Sequence, residues 1–426
     1  MADKKVAIVL GGTVPHVSLV KKLKMRGYYV ILLDYLDDSP AKSAADEHVQ
    51  ESTLDKETVL RVAKERNASL VIASCVDQAN STCCYVAEKL GLSHPYSYQT
   101  SLDVTDKVRM KDIMIHSGIP TSRYTYVTDI EEALRQELRF PLMVKPADSN
   151  SANGVKKVKN EAELKAYLPI ALKFSRNKYA IVEEFVEGIE ISAYCVIVNK
   201  KAHLLMTQER ISVIEGEGNV IKCFAALAPA RISGTALKKA EAIATKIAKA
   251  FNLDNTPLFF QGIVSNDEIS VIEFAPRIGG GMSFHTIHEG TGFDILESSI
   301  DSFLNIPITL KGFHPMDRYF ALNQIYGNDG YYDHTEGCEQ LLTEGIVEKI
   351  SFYKPKGDFI DSSKASSGRI GVMVFCDKTP EAIQEKILRA FTIVDSFDTS
   401  GKSMMRHDLN FGKLWNQTLD KSVILM

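Results

Sequence analysis

The chain has 426 residues, enough for about three domains, and its 45% apolar and 24% charged content excludes wholesale disorder. Fifty basic residues against 54 acidic ones give a net charge of −4, which argues against a nucleic-acid backbone as partner. The first apolar run, Val6 to Leu10, is too short for a signal-peptide core, and charges break every later run well before about eighteen residues; no membrane partner and a cytoplasmic location are expected.

In chain order, KKVAIVLGG is an apolar strand ending at Gly11 and Gly12. A helical stretch follows, with Val17, Val20, Leu23 and Lys24 toward its inner face. YYVILLDY is a second strand ending at Asp34, LVIASC (70–75) a third, and a helix covers Cys83 to Leu90. Strand–helix alternation predicts a parallel sheet covered on both faces, a Rossmann-like α/β unit over residues 1–100. After the glycine pair come Thr13, Val14 and Pro15, so the G-x-G-x-x-G dinucleotide pattern is missing. The pair either makes a tight turn or lets a small ligand approach the strand ends.

From residue 101 the rhythm changes. A helix carrying Lys107 and Lys111 ends near Gly118, before Pro120. A long helix from Thr235 to Phe251 shows a stripe at Leu237, Ala240, Ala244, Ile247 and Phe251, with Ser233 as its cap. Beyond residue 311 the pattern is strand-rich, with a strand at RIGVMVF (369–375) and a helix at 380–394. The seven cysteines form no C-x-x-C and are expected to be reduced thiols.

Three segments carry residues suited to chemistry. In PLMVKPADSNSANGVKKV (141–158), a strand presents Lys145 before the small polar run Ser149, Asn150, Ser151 to Gly154, whose backbone amides can approach an anion; a solvated hairpin would read the same way. In YAIVEEFVEGIEISAYCVI (179–197), a strand runs into Glu183 and Val186, turns at Gly188 and resumes at Glu190. The backbone there can read a base edge and Glu190 can bind sugar hydroxyls, or the acids can pair along a hairpin edge. In LFFQGIVSNDEISVIEFAPRIGGG (258–281), a five-residue loop from Ser265 to Ile269 would set Val264 opposite Ser270 and Gln261 opposite Glu273. Period two then puts Glu273, Ala275 and Arg277 on one side. An amide oxygen and a carboxylate suit a hard metal ion, and the guanidinium suits developing negative charge; a buried Glu–Arg pair is the other reading. Gly279 to Gly281 form an anion pocket or a simple turn.

In this order and spacing the three segments resemble the ATP-grasp superfamily, including L-amino-acid ligases, carbamoyl-phosphate synthase and biotin carboxylase. The resemblance implies a Rossmann-like domain (1–100), an ATP-grasp domain of two α+β subdomains (101–310, lid about 121–187) and a small strand-rich C-terminal domain (311–426). It implies ATP phosphates on Lys107 and Lys145, a covering loop at 149–154, adenine at Glu183 and Val186, ribose on Glu190, and Mg2+ (or Mn2+) on Gln261 and Glu273. Arg277 would stabilise transferred phosphate. Gly279, Gly280, His285 and Arg369 are substrate candidates, although His285 and His288 also suit a helix surface. The family pattern E-x-N-P-R reads Glu273-Phe274-Ala275-Pro276-Arg277 here, and alanine cannot ligate a second metal. The implied activity is ADP-forming ligation of a small carboxylate to an amine or a thiol. Alternatives are a formate- or bicarbonate-activating relative and a non-catalytic ATP-binding module. A homodimer is a further implication of the resemblance.

Overall fold

The computed structural model describes residues 4–147, 154–175, 177–215 and 220–419, and the backbone of 423–425. The first unit is a parallel sheet of β1 (Val6–Leu10), β2 (Tyr29–Leu33), β3 (Glu47–Val49) and β4 (Ala68–Ile72), in the order β3-β2-β1-β4. β1, β2 and β4 are buried over most of their length because helices cover both faces, which is why they read as continuous apolar runs rather than alternating ones. The helix Val14–Met25 buries Pro15, His16, Leu19, Val20 and Leu23. Lys24, expected on that inner face, is solvent-exposed and pairs with Asp46, since an ammonium gains more from water and a carboxylate than from the core. The third strand stops at Ile72, short of Cys75, and the helix after it already starts at Asp77.

The glycine pair makes the tight turn. Gly11 has φ +101°, and a side chain there would press on Val76 and on the His16 ring. The Gly12 amide donates to the Asp34 carboxylate at 2.7 Å, so it is occupied from within the fold.

The segment expected to form the lid holds a separate four-stranded sheet of β5 (Tyr124–Val127), β6 (Leu142–Pro146), β7 (Lys156–Val158) and β8 (Ala180–Glu184), in the order β5-β8-β6-β7. Its own small core includes Val127, Leu142, Val144, Leu164, Leu168 and Val182.

The largest sheet joins β9 (Ile189–Val198), β10 (Lys201–Glu215), β11 (Val220–Ala228), β12 (Thr256–Ser265) and β13 (Glu268–Ala275) to C-terminal strands. Those are β14 (Tyr319–Tyr326), β16 (Lys349–Phe352) and β18 (Arg369–Asp377), and the order is β13-β12-β9-β10-β11-β14-β18-β16. In a small sheet of its own, β15 (Gly330–Glu336) pairs with both β17 (Phe359–Ile360) and β19 (Asp395–Asp398), and β20 (Val423–Leu425) pairs with β10. The sheet therefore runs through residue 311 without a break, at the β11–β14 pairing. The helix Gly234–Ala250, capped by Ser233 Oγ, packs Ala240, Ala244 and Ile247 on the sheet, while Leu237 is only half-buried. The helix expected over 380–394 ends at Ala390. No disulfide joins the seven thiols; Cys83, Cys84 and Cys195 are buried and the others half-buried.

Candidate functional site

The lysines come first. The cap residue Asp106 accepts the amides of Val108 and Arg109 and so starts the helix Lys107–His116, with Lys107 at its first position. Lys107 Nζ stands 3.6 Å from the Glu273 carboxylate. Lys145 lies on β6 two residues beyond Met143, the cross-strand partner of Glu183, so both side chains project from one face of the lid sheet. Lys145 Nζ donates to Glu183 Oε1 at 2.6 Å, while Lys111 Nζ and Ser122 Oγ reach Oε2 at 2.9 and 3.1 Å. Burial alone would push the Glu183 carboxyl up; Lys145 and then Lys111 outweigh it and hold the group well below the usual carboxylate range. The Glu183 side chain is thus committed to lysines. The amides of Glu184 and Phe185 are committed to the carbonyls of Arg123 and Pro141.

The metal candidates sit on the β12–β13 hairpin. Its turn has two residues rather than five. Asn266 and Asp267 take φ +50° and +63°, and Ser265 pairs directly with Glu268. Val264 therefore opposes Ile269, not Ser270, which on its own would misalign the strands by one residue. A bulge between Gly262 and Gln261 absorbs the difference and returns Gln261 to Glu273. The row continues across β9 and β10, where Gln261 pairs with Ser192 and Ser192 with Gln208. Glu273, Gln261, Ser192 and Gln208 thus cross four strands on one face. Two residues along, Glu190 pairs with Ile263 and receives Arg210 Nε at 2.7 Å.

β13 ends at Ala275, and the Arg277 amide turns back onto the Ala275 carbonyl, so Arg277 is not a further strand position as the period-two reading had it. Its guanidinium, 8% exposed, grips both oxygens of Asp77, donates to the Ile278 carbonyl and lies 4.9 Å from the Phe259 ring centroid. Ala275 is buried opposite Phe259. Gly279 lies so close to Tyr194 that a Cβ would come within 2.3 Å of its ring, and its carbonyl accepts from Ser283; Gly280 is exposed. Arg369 Nε donates to the Tyr326 hydroxyl at 2.9 Å, and its other nitrogen to the Cys223 carbonyl at 3.3 Å.

His285 does not face open space: its Nε2 is 2.8 Å from Glu348, and His288 is exposed. Ser149, Asn150 and Ser151 lie outside the described residues. Gly154, with φ +70°, packs against Pro146. A cavity of about 730 Å³ opens between the first unit and the lid, lined by Asp77, Thr105, Lys107, Ala147 and Tyr179 among others.

Among the described residues no three His, Cys, Asp or Glu side chains cluster as a metal cage. The oxygen pair Gln261 and Glu273 fits magnesium, which keeps most of its waters and takes further oxygens from phosphates. Sequence reasoning passed over Asp77, Ser122 and Arg210 and gave Lys111 no role. Asp77 was findable as the first helical residue after a parallel strand, and Lys111 as one turn from Lys107 on the same helix. Nothing in the local sequence points to Arg210.

Residues 105–281 match the ATP-grasp (A) domain family of phosphoribosylglycinamide synthetase. The formate-dependent phosphoribosylglycinamide formyltransferase of Bacteroides fragilis is 25% identical over 251 residues, 58% of this chain. The chain spans 63% of that relative's length, under two thirds. The enzyme of that name from Flavobacterium psychrophilum is 24% identical over 85% of this chain and 92% of its own. Among solved structures, L-amino acid ligase from Bacillus licheniformis superposes with a TM-score of 0.79 at 18% identity, covering 93% of this chain and 99% of that one. The arrangement is an α/β fold with Lys145 on the four-stranded sheet of β5 to β8 and Gln261 opposite Glu273 on the large one. Residues 105–281 are thus similar to an ATP-grasp domain, and the fold of most of the chain is similar to that of the ligase structure.

Proposed function

We propose that the protein is an ADP-forming ligase in which a carboxylate oxygen attacks the γ-phosphorus of ATP and an amine then displaces phosphate from the acyl phosphate. The observation that carries this reading is the direct opposition of Gln261 and Glu273 on the large sheet, with Lys107 beside Glu273. Gln261 and Glu273 would hold magnesium, which would neutralise phosphate charge there. Lys107 and Lys145 hold the phosphates as point charges, and Val186 onward reads the base. Glu190 suits the ribose hydroxyls, with Arg210 fixing its carboxylate. Arg277, set by Asp77, faces the charge that develops as the acyl phosphate forms. Gly279 and Arg369 are the candidates for contact with the acceptor. No protein nucleophile is needed; the work is positioning and charge neutralisation.

A second reading, activation of formate or bicarbonate, is favoured by the Flavobacterium relative, whose match runs over most of both chains. The test for both is ATP-dependent phosphate release with single amino acids, formate and bicarbonate, hydroxylamine serving as a general amine. Release confined to formate or bicarbonate selects the second reading. Magnesium-dependent ATP binding with no release under any condition selects the non-catalytic module, which Ala275 favours. Domain boundaries near residues 100 and 310 and a homodimer belong to the same proposal. Among the described residues no helix is long and apolar enough to cross a membrane.

A further inference from the structure

Lys111 has no part in the chemistry proposed for the site, yet its side chain is 2% exposed and shares one carboxylate with a proposed phosphate ligand. We infer that Lys111 is a positioning residue: it keeps Glu183 neutralised so that Lys145 can leave that carboxylate for the phosphates of the nucleotide. The inference rests on reading Lys145 as a phosphate ligand.

The geometry is a carboxylate shared by two ammonium groups. Lys145 holds Oε1, Lys111 and the Ser122 hydroxyl hold Oε2, and all three charged residues are at least nine-tenths buried. The cluster carries one surplus positive charge, which draws an anion. When Lys145 swings to a phosphate, Glu183 keeps Lys111 and Ser122. Without Lys111 the Lys145–Glu183 pair would be neutral and closed. Pulling Lys145 away would then strand a buried carboxylate, the costly way to break a buried pair.

The placement of Lys111 fits this role. It lies one turn beyond Lys107 on the same helix, and its ammonium also donates to the Thr121 hydroxyl at 2.9 Å. Thr121 in turn donates to the Val271 carbonyl at 2.8 Å, and the Val271 amide donates to the Pro120 carbonyl at 2.8 Å. Lys111 is therefore pinned where the chain enters the lid, and it stays in place when Lys145 moves.

The test is titration of the full chain with a non-hydrolysable ATP analogue and magnesium, for Lys111→Met, Lys111→Arg, Glu183→Gln, Lys145→Ala and the double variant Lys111→Met/Glu183→Gln. Lys111→Met should weaken analogue binding roughly tenfold, and Lys111→Arg should stay within about threefold of wild type. The double variant should bind more tightly than Lys111→Met alone, because a neutral amide no longer retains Lys145. A merely structural lysine predicts no such rescue. Wild-type affinity in Lys111→Met, or absence of rescue, overturns the inference. If Lys111→Met does not fold, Glu183→Gln decides: binding at least as tight as wild type supports the inference, and a tenfold loss overturns it. Normal binding by Lys145→Ala would instead remove the reading of Lys145, and the inference with it.

Discussion

Gln261 and Glu273 face each other across the β12–β13 hairpin because a bulge offsets the short turn. The Glu273 carboxylate, 41% exposed, has Lys107 at 3.6 Å. In the proposed function, with no amide at position 275, this pair would supply the protein's oxygens to a metal. Glu273→Gln should therefore abolish magnesium-dependent turnover at every magnesium concentration. Phosphate release measured against magnesium concentration checks this.

Ala275→Asn tests the departure from the family pattern. The position is 7% exposed and pairs with Phe259, so a larger polar side chain overpacks it. The cost should be about 1–3 kcal/mol of stability without ligand. If the amide reaches the metal, magnesium with ATP should recover part of the loss. Thermal unfolding with and without MgATP reads both effects.

Lys145→Ala should weaken ATP binding by about 1.5–3 kcal/mol, since a charged contact to phosphate is lost. Turnover should fall with it. Calorimetry with ATP and the rate of phosphate release are the measurements, and unchanged affinity would remove Lys145 from the phosphate site.

Arg277→Lys keeps the charge but loses the fork that grips Asp77 and lies near the Phe259 ring. The expected result is a kcat about tenfold or more below wild type with a nearly unchanged KM for ATP. An equal loss in both would make Arg277 a binding residue instead.

His16 gives a pH prediction. Its ring is buried beneath Gly11, with Nδ1 2.8 Å from the Thr13 hydroxyl; burial pushes the imidazole down to about 4, and Arg277 adds to that. In the unfolded chain the group titrates near 6.5. Between these values the unfolded chain binds the extra proton, so stability falls as pH drops from about 6.5 to about 4 and levels off below. The loss attributable to His16 is on the order of 3 kcal/mol. Melting temperatures across that range should show a weaker slope in His16→Gln than in wild type.

The sequence made the architecture readable because its signals were local. The apolar runs of β1, β2 and β4 and the Ser233 cap each arise from residues within a few positions of one another. The opposition of Gln261 and Glu273 was also expected, but through a five-residue loop that does not form; turn and bulge shift the register in opposite directions and cancel. What stayed hidden is long-range. Asp77 meets Arg277 across 200 positions, and Arg210 meets Glu190 on a neighbouring strand. The glycine pair looked open to a ligand, yet the Asp34 carboxylate occupies the Gly12 amide. The histidine after the glycine pocket looked available to an acceptor, yet Glu348 holds it.

In the proposed reaction a carboxylate oxygen becomes bonded to the γ-phosphorus of ATP, and that bond leaves an isotopic trace. The experiment supplies MgATP, hydroxylamine and a pool of amino acids, formate and bicarbonate labelled with oxygen-18 in the carboxylate, and examines the released phosphate by mass spectrometry. The expected outcome is ADP as the nucleotide product, an oxygen-18 atom in the phosphate, and a hydroxamate formed in equal amount. Labelled phosphate should be lost in Glu273→Gln. Unlabelled phosphate, AMP with pyrophosphate, or ATP bound without carboxylate-dependent release would contradict carboxylate activation at this site.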